Sequence, residues 1–382
     1  MRHWAPGGKR FSRVLGWGLL VLLIAALAPA APAGRAAGMA AVSGAAVAPR
    51  GPKAAGSSRV AAAPDGAQQP ATVRIGVIGL VADAGIFIAE ERGYFREQNL
   101  TMAYDQFDTA ATMMPLLASG QMDVATGGIN AALYNAIARG LGIVLTADKG
   151  SQPPGFGANQ IMLRKDLADT VHAPRDFRGR PIGMDIPGTV NRYWWDLYLP
   201  QDGLSINDLD VQVLTFPDMV GALANGRIDA AIAPEPFPTI AEGRDIATRF
   251  LTTDVIAPYS QPGVLFYSRD FVERQTDVGN RFMVAYLKGV RDYNRALARR
   301  GADLDAVIQI LIKYTSLKDP AIYQRMTPFG LDPNGALYRD SIMDMQAYFN
   351  RTGEVPEQVP WERIVDTRFI DYAVQVLGPY QP

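Results

Sequence analysis

The chain has 382 residues, of which 48% are hydrophobic and 20% charged, an ordinary globular composition at a length that suits two or three domains. A formal net charge of −1 gives no electrostatic footprint for nucleic acid or an anionic membrane surface. The absence of cysteine excludes disulfides, thiolate metal sites, cysteine nucleophiles and a lipidated cysteine anchor, and two histidines leave little for a histidine-rich metal site or a Ser-His-Asp triad.

Arg2, Lys9, Arg10 and Arg13 make a basic start, Val14 to Leu27 an apolar run, and Ala-Pro-Ala follows at 28–30 and 31–33. That order predicts a secretory signal over residues 1–33. The run is shorter than the roughly 20 residues a bilayer span needs. Residues 34–71 are dominated by Ala, Gly, Pro and Ser without amphipathic period, which predicts a disordered linker.

Ordered elements begin at "TVRIGVIGL" (72–80), a β-branched run that predicts a strand ending in a glycine loop. A helix is expected across "ADAGIFIAEERG" and a second strand at "LTMAYDQF". A helix from Asp108 or Thr109 follows, with Pro115 inside it and Gly120 at its end. "QMDVATGG" is a third strand, "INAALYNAIARG" a third helix and "GIVLTAD" a fourth strand. From Arg180 the same order recurs. "RPIGMDI", "LDVQVLTF" and "RIDAAIAPEPF" are strands, separated by helices that start near Gly188-Thr189 and Asp218. His172 falls in a loop before Ala-Pro.

The recurrence extends to letters. "LASGQMDVA" (117–125) and "LANGRIDAA" (223–231) share Leu, Ala, Gly and Asp in register. Ile75 and Ile182 lie at nearly the same offset as Leu117 and Leu223. Such self-similarity predicts two α/β lobes, each with a mostly parallel sheet. In these sheets ligands sit beyond the carboxyl ends of the strands, so the strand-end loops of both lobes converge on one cleft. Asp123 and Asp229, the repeated acids, open strands after tight turns and read as backbone-bonding residues.

"RIGVIGLVADAGIFIAEERGYFREQNL", "LASGQMDVATGG", "RGRPIGMDIPGT" and "APEPF", in this order over about residues 72–270, resemble the substrate-binding proteins of nitrate/sulfonate/taurine-type ABC importers, a group that includes binders of thiamine-pyrimidine precursors. The resemblance implies the type II periplasmic-binding-protein fold, two Rossmann-like lobes joined by two hinge strands. "NQIMLRKD" (159–166) and "GVLFYSRD" (263–270) are the candidate crossings. Lobe one then comprises 72–168 plus 262–382, with a helical C-terminal tail packed on it, and lobe two comprises 169–261. The implied activity is capture of a small organic molecule, with no cofactor or metal and no catalysis. Delivery to membrane permease and ATPase subunits is implied, by a periplasmic monomer. A periplasmic sensor, or an enzyme on the same fold (a pyrimidine-synthase-like protein or a chorismate-type lyase), are the competing readings.

The candidate ligand residues follow from the strand-end loops. In lobe one these are Asp83, Phe107, Asp108 and the helix-opening group Gly127, Gly128 and Asn130, whose bare N–H groups suit an anionic or carbonyl group. In lobe two they are Asp185, then Gly188 and Thr189 as a second donor nest, with Asn191 and Arg192 in the first turn. Trp194 and its neighbour Trp195 point to different sides of a helix, so one is a candidate to stack on a planar ligand. The resemblance places Glu235, fixed between two prolines, at the cleft. Four carboxylates (Asp83, Asp108, Asp185, Glu235) against Arg192 alone favour a neutral or nitrogen-bearing ligand over a simple anion.

Overall fold

The computed structural model describes residues 69–381. The expected leader and nearly all of the expected linker lie outside the described residues. Two five-stranded sheets carry the fold. The first is ordered β2-β1-β3-β10-β4, built from β1 (Ala71–Val77), β2 (Leu100–Gln106), β3 (Val124–Gly128), β4 (Ile143–Gln152) and β10 (Ser260–Ser268). The second is ordered β7-β6-β8-β5-β9, from β5 (Asn159–Arg164), β6 (Pro181–Met184), β7 (Asp210–Val213), β8 (Ala230–Pro234) and β9 (Ala247–Thr252). The two orders are the same pattern twice, which is the structural content of the sequence repeat.

Each sheet contains one strand that came from the other lobe. The chain leaves β4 and enters the second sheet as β5; it leaves β9 and returns as β10. Both entering strands run antiparallel to their neighbours. The reason is directional. A crossing strand enters at the cleft, where the parallel strands end, so it must run the opposite way. Residues 159–164, expected in lobe one, therefore pair inside the second sheet.

The repeated aspartates serve architecture. Asp123 Oδ2 accepts from Arg74 N at 2.9 Å and Arg74 Nε at 3.0 Å. Asp229 pairs with Arg180 at 2.8 Å and Arg164 at 2.9 Å. In each lobe the acid that opens the third strand is tied to an arginine at the first, 49 residues earlier.

The tail packs on the first sheet and also reaches the second lobe. Helix Thr276–Tyr293 lies so close to helix Ala84–Glu91 that a Cβ on Gly289 would stand 2.1 Å from the Gly85 carbonyl oxygen. Only glycine permits that approach. Further on, helix Arg339–Arg351 sets Tyr348 edge-on against Tyr193 of lobe two, centroids 5.2 Å apart, and the Tyr348 hydroxyl donates to Asp196 at 2.7 Å. Among the described residues no helix is long and apolar enough to cross a membrane, and no group of three or more acidic or histidine side chains is placed to hold a metal ion.

Asp148 ties the hinge together. Its carboxylate accepts from Gly150 N (3.0 Å), Gln261 Nε2 (2.7 Å), Asp332 N (2.6 Å) and Ser151 Oγ (3.3 Å), which joins β4, β10 and the tail loop. Burial outweighs these donors and pushes its pKa up to about 7. The folded protein thus holds a proton there that the unfolded chain has already released. Stability from this group falls as pH rises from about 4 to about 7. Urea unfolding from pH 4.5 to 7.5 is expected to show that decline, and Asp148→Asn to flatten it; equal slopes in the two proteins refute the assignment.

Candidate functional site

A cavity of about 220 Å³ lies where the strand ends of the two sheets meet. Lobe one supplies Ile78 and Leu80 after β1, Asp108 and Thr109 after β2, Gly127 to Ala132 after β3, and Lys149 to Gln152 on β4. Lobe two supplies Asn159, Asp185 to Asn191 after β6, Phe216 after β7 and Pro234 at the end of β8. Phe156 and Pro262 come from the crossings and Phe329 from the tail.

The lobes touch at the helix starts. Asn130 and Thr189, which cap the helices Ala131–Ala138 and Val190–Tyr198, form an antiparallel β-bridge across the cleft. Ala131 N donates to Gly188 O at 2.9 Å. Gly188 takes φ +77°, the left-handed region, and a Cβ there would sit 3.3 Å from that of Ala131. Asn130 is committed to its own helix: Oδ1 accepts from Leu133 N and Nδ2 donates to Gly128 O, both at 2.9 Å. The donor nests expected to face a ligand therefore spend part of their capacity on the opposite lobe. Gly127 and Gly128 line the cavity within the ladder to β10, and a Cβ on Gly127 would strike Ala110 at 2.4 Å.

Of the candidates read from sequence, Asp108, Gly127, Gly128, Asn130, Asp185, Gly188, Thr189 and Asn191 line this cavity together. Asp185 accepts from the Thr189 hydroxyl at 2.7 Å. Burial raises its carboxyl pKa, opposed by that bond and by the nearby Asn191 amide, which approaches Asp185 without reaching full hydrogen-bond geometry and so still has donor capacity for a guest.

Five candidates lie elsewhere. Asp83 is fully buried behind the wall: Oδ2 accepts from Gly79 N (2.8 Å) and Leu80 N (3.2 Å), and Oδ1 lies 3.0 Å from Lys149 Nζ. Phe107 is half-buried against the core. Arg192 pairs along its helix with Asp196 at 2.9 Å and is not among the residues lining the cavity. Trp194 is core, 0% exposed, as is Trp195, whose ring meets Phe177 edge-on at 5.4 Å. Glu235 is buried at 0% exposure and saturated: Arg249 Nη1 (2.9 Å), Thr327 N (3.0 Å), Thr239 Oγ1 (3.0 Å) and Thr239 N (3.2 Å) all donate to it. It links lobe two to the tail and does not face the cavity.

Sequence reasoning missed Lys149 and Gln152 as lining residues; Thr109 falls in the strand-end loop read to meet the cleft but was not named as a ligand contact. Lys149 is the cation of the wall, buried on a strand that continues past the expected end at Asp148. The signal for it was positional: it directly follows a predicted strand of lobe one. Several lining polar atoms are buried without a hydrogen-bond partner: Thr109 Oγ1, Asn191 Nδ2 and both amide atoms of Gln152. Such atoms are costly unless a guest or solvent satisfies them.

The fold is shared with several solved structures. The zinc-bound ligand-binding component of an ABC-type import system from Staphylococcus aureus aligns at TM-score 0.65 and 16% identity, covering 80% of this chain and 99% of that one. The alkanesulfonate-binding protein SsuA from Xanthomonas axonopodis pv. citri, bound to MOPS, aligns at 0.61 and 19%, covering 78% and 96%. The desulfurization enzyme DSZB aligns at 0.57 and 14%, covering 80% and 99%. At these identities the likeness is one of fold. No curated protein matches the sequence. Residues 66–302, well over half of the chain, match the NMT1-like family, and the protein belongs to that family.

Proposed function

We propose that the protein is the extracytoplasmic solute-binding component of an ABC importer, which captures a small organic molecule between its lobes and presents the closed form to membrane subunits. The observation that carries this reading is the cavity at the meeting strand ends, walled by both lobes and lined with partnerless buried polar atoms. A guest touching both walls binds the closed form better than the open one and shifts the hinge by that difference alone. Driving the protein from mostly open to mostly closed takes about 5.5 kcal/mol. The basic-apolar-small order of residues 1–33 supports export to the periplasm. We place the lobe boundaries at the two crossings, β4 to β5 and β9 to β10, a reading that the paired strand orders support.

Thr109 and Asn191 stand on opposite walls. Thr109→Val and Asn191→Leu each remove a hydrogen-bonding atom while holding volume, so each is expected to weaken a bound solute about tenfold or more, near 1.4 kcal/mol. The check is a thermal-shift screen of small molecules on the parent protein, followed by calorimetric titration of hits on both variants. Unchanged affinity in both variants rejects this cavity. Because an enzyme also has this fold, each hit is incubated with catalytic amounts of protein. Disappearance of the compound favours an enzyme over a binder.

A further inference from the structure

The chemistry of the cavity wall turns on one buried ion pair. Lys149 supplies the only cationic side chain among the lining residues. Its ammonium lies 3.0 Å from Asp83 Oδ1, an ionic contact that is not aligned as a hydrogen bond, with the two side chains 5% and 0% exposed. The carboxylate is held in place, because its other oxygen is anchored by the Gly79 and Leu80 amides. The remaining charged lining residues are acids: Asp108, exposed at the rim, and Asp185, half-buried and bonded to Thr189. Around them the wall is apolar, with Ile78, Leu80, Ile129, Phe156, Phe216 and Phe329.

We propose that Asp83 sets the ligand class: by acting as the internal counter-ion of Lys149 it makes the cavity receptive to an uncharged, apolar-bodied molecule with hydrogen-bonding groups, and closes it to sulfonates and carboxylates. The inference rests on the cavity being the solute site. An anion entering there has to share an ammonium already paired at 3.0 Å, and adds a negative charge beside Asp83, Asp108 and Asp185. Like charges brought together in a desolvated site repel strongly. An uncharged guest meets no such barrier. Its carbonyl, amide or hydroxyl groups match the partnerless atoms of Thr109, Asn191 and Gln152, all of them neutral. Its apolar body matches the aromatic and aliphatic wall. The cavity is smaller than the roughly 300–1,000 Å³ of pockets for drug-sized ligands, so the guest is small, of single-ring size.

Three probes of one ring size test this by calorimetric titration: benzamide, benzoate and benzenesulfonate. On the parent protein benzamide is expected to bind at least about tenfold more tightly than either anion. Asp83→Asn keeps an acceptor oxygen for the Gly79 and Leu80 amides while freeing the ammonium. It is expected to shift the anion-to-benzamide affinity ratio about tenfold or more toward the anions. The double variant Asp83→Asn/Lys149→Met removes both charges and is expected to restore the parent's ranking, which keeps the test open should the single variant fold poorly. Circular dichroism checks each fold. An anion that binds the parent as tightly as benzamide overturns the assignment of ligand class and leaves the solute-binding reading standing. An unmoved ratio in a well-folded Asp83→Asn variant overturns the role of Asp83. Silence of all probes on all three proteins overturns both the inference and the cavity as a solute site.

Discussion

Glu235→Ala is expected to lower the unfolding free energy by about 3–5 kcal/mol, the range for breaking a buried, hydrogen-bonded charge pair by removing one partner. The carboxylate is the centre of a network that joins three parts of the chain: Thr239 on its own segment, Arg249 on β9 and Thr327 in the tail. Without it, the Arg249 guanidinium loses its buried partner and keeps the exposed Glu242, at 2.9 Å. The Thr327 amide loses its acceptor. For a chain of this size, at roughly 2 °C per kcal/mol, the melting temperature is expected to fall by about 6–10 °C. Glu235→Gln, which retains shape and one acceptor, is expected to fall between the two. Calorimetry of the three proteins measures the effect. Titration of a cleft ligand gives the second readout: affinity per folded molecule stays at the parental value, because no part of Glu235 lines the cavity. A variant that melts like its parent but loses ligand overturns the structural role.

Glu235 also shows where the sequence stops being informative. The segment is fixed by its prolines, and the family resemblance brings its carboxylate to the cleft. What decides its direction is Arg249 and the Thr327 amide, 14 and 92 residues away. Nothing local to "APEPF" announces them. The same holds for Asp83, whose neighbour Lys149 lies on β4, a different strand from the one that precedes it. By contrast, the strand-end loops were legible, because strand and helix periodicity locate the carboxyl end of each parallel strand without knowledge of distant partners. Asp108, Gly127, Gly128, Asn130, Asp185, Gly188, Thr189 and Asn191 were found that way and line the cavity together. The lobe repeat was legible in the shared letters of 117–125 and 223–231 and in the common strand–helix order; the Arg–Asp ties at Asp123 and Asp229, each spanning 49 residues, are what the structure adds.

The tryptophans of helix Val190–Tyr198 give the sharpest test of core against ligand contact. Adjacent helical positions point about 100° apart, which makes one of Trp194 and Trp195 a candidate to face a ligand. Both are instead fully buried. Trp195 packs on Phe177 and Tyr198, and the tail helix Arg339–Arg351 covers a further face of the helix, through Tyr348 against Tyr193 and Asp196. That cover comes from about 150 residues later and has no local signature. Trp194→Ala is therefore expected to cost about 3–5 kcal/mol, the range for truncating a large buried aromatic to alanine. Trp194→Phe is expected to cost much less. It keeps most of the ring volume and removes an indole N–H that has no hydrogen-bond partner, so the smaller cavity it leaves is offset in part by relief of a buried unpaired donor. Chemical denaturation of the three proteins checks the order. Ligand affinity is expected to be unaffected in Trp194→Phe; a loss of ligand there with stability intact places the indole in the cleft after all.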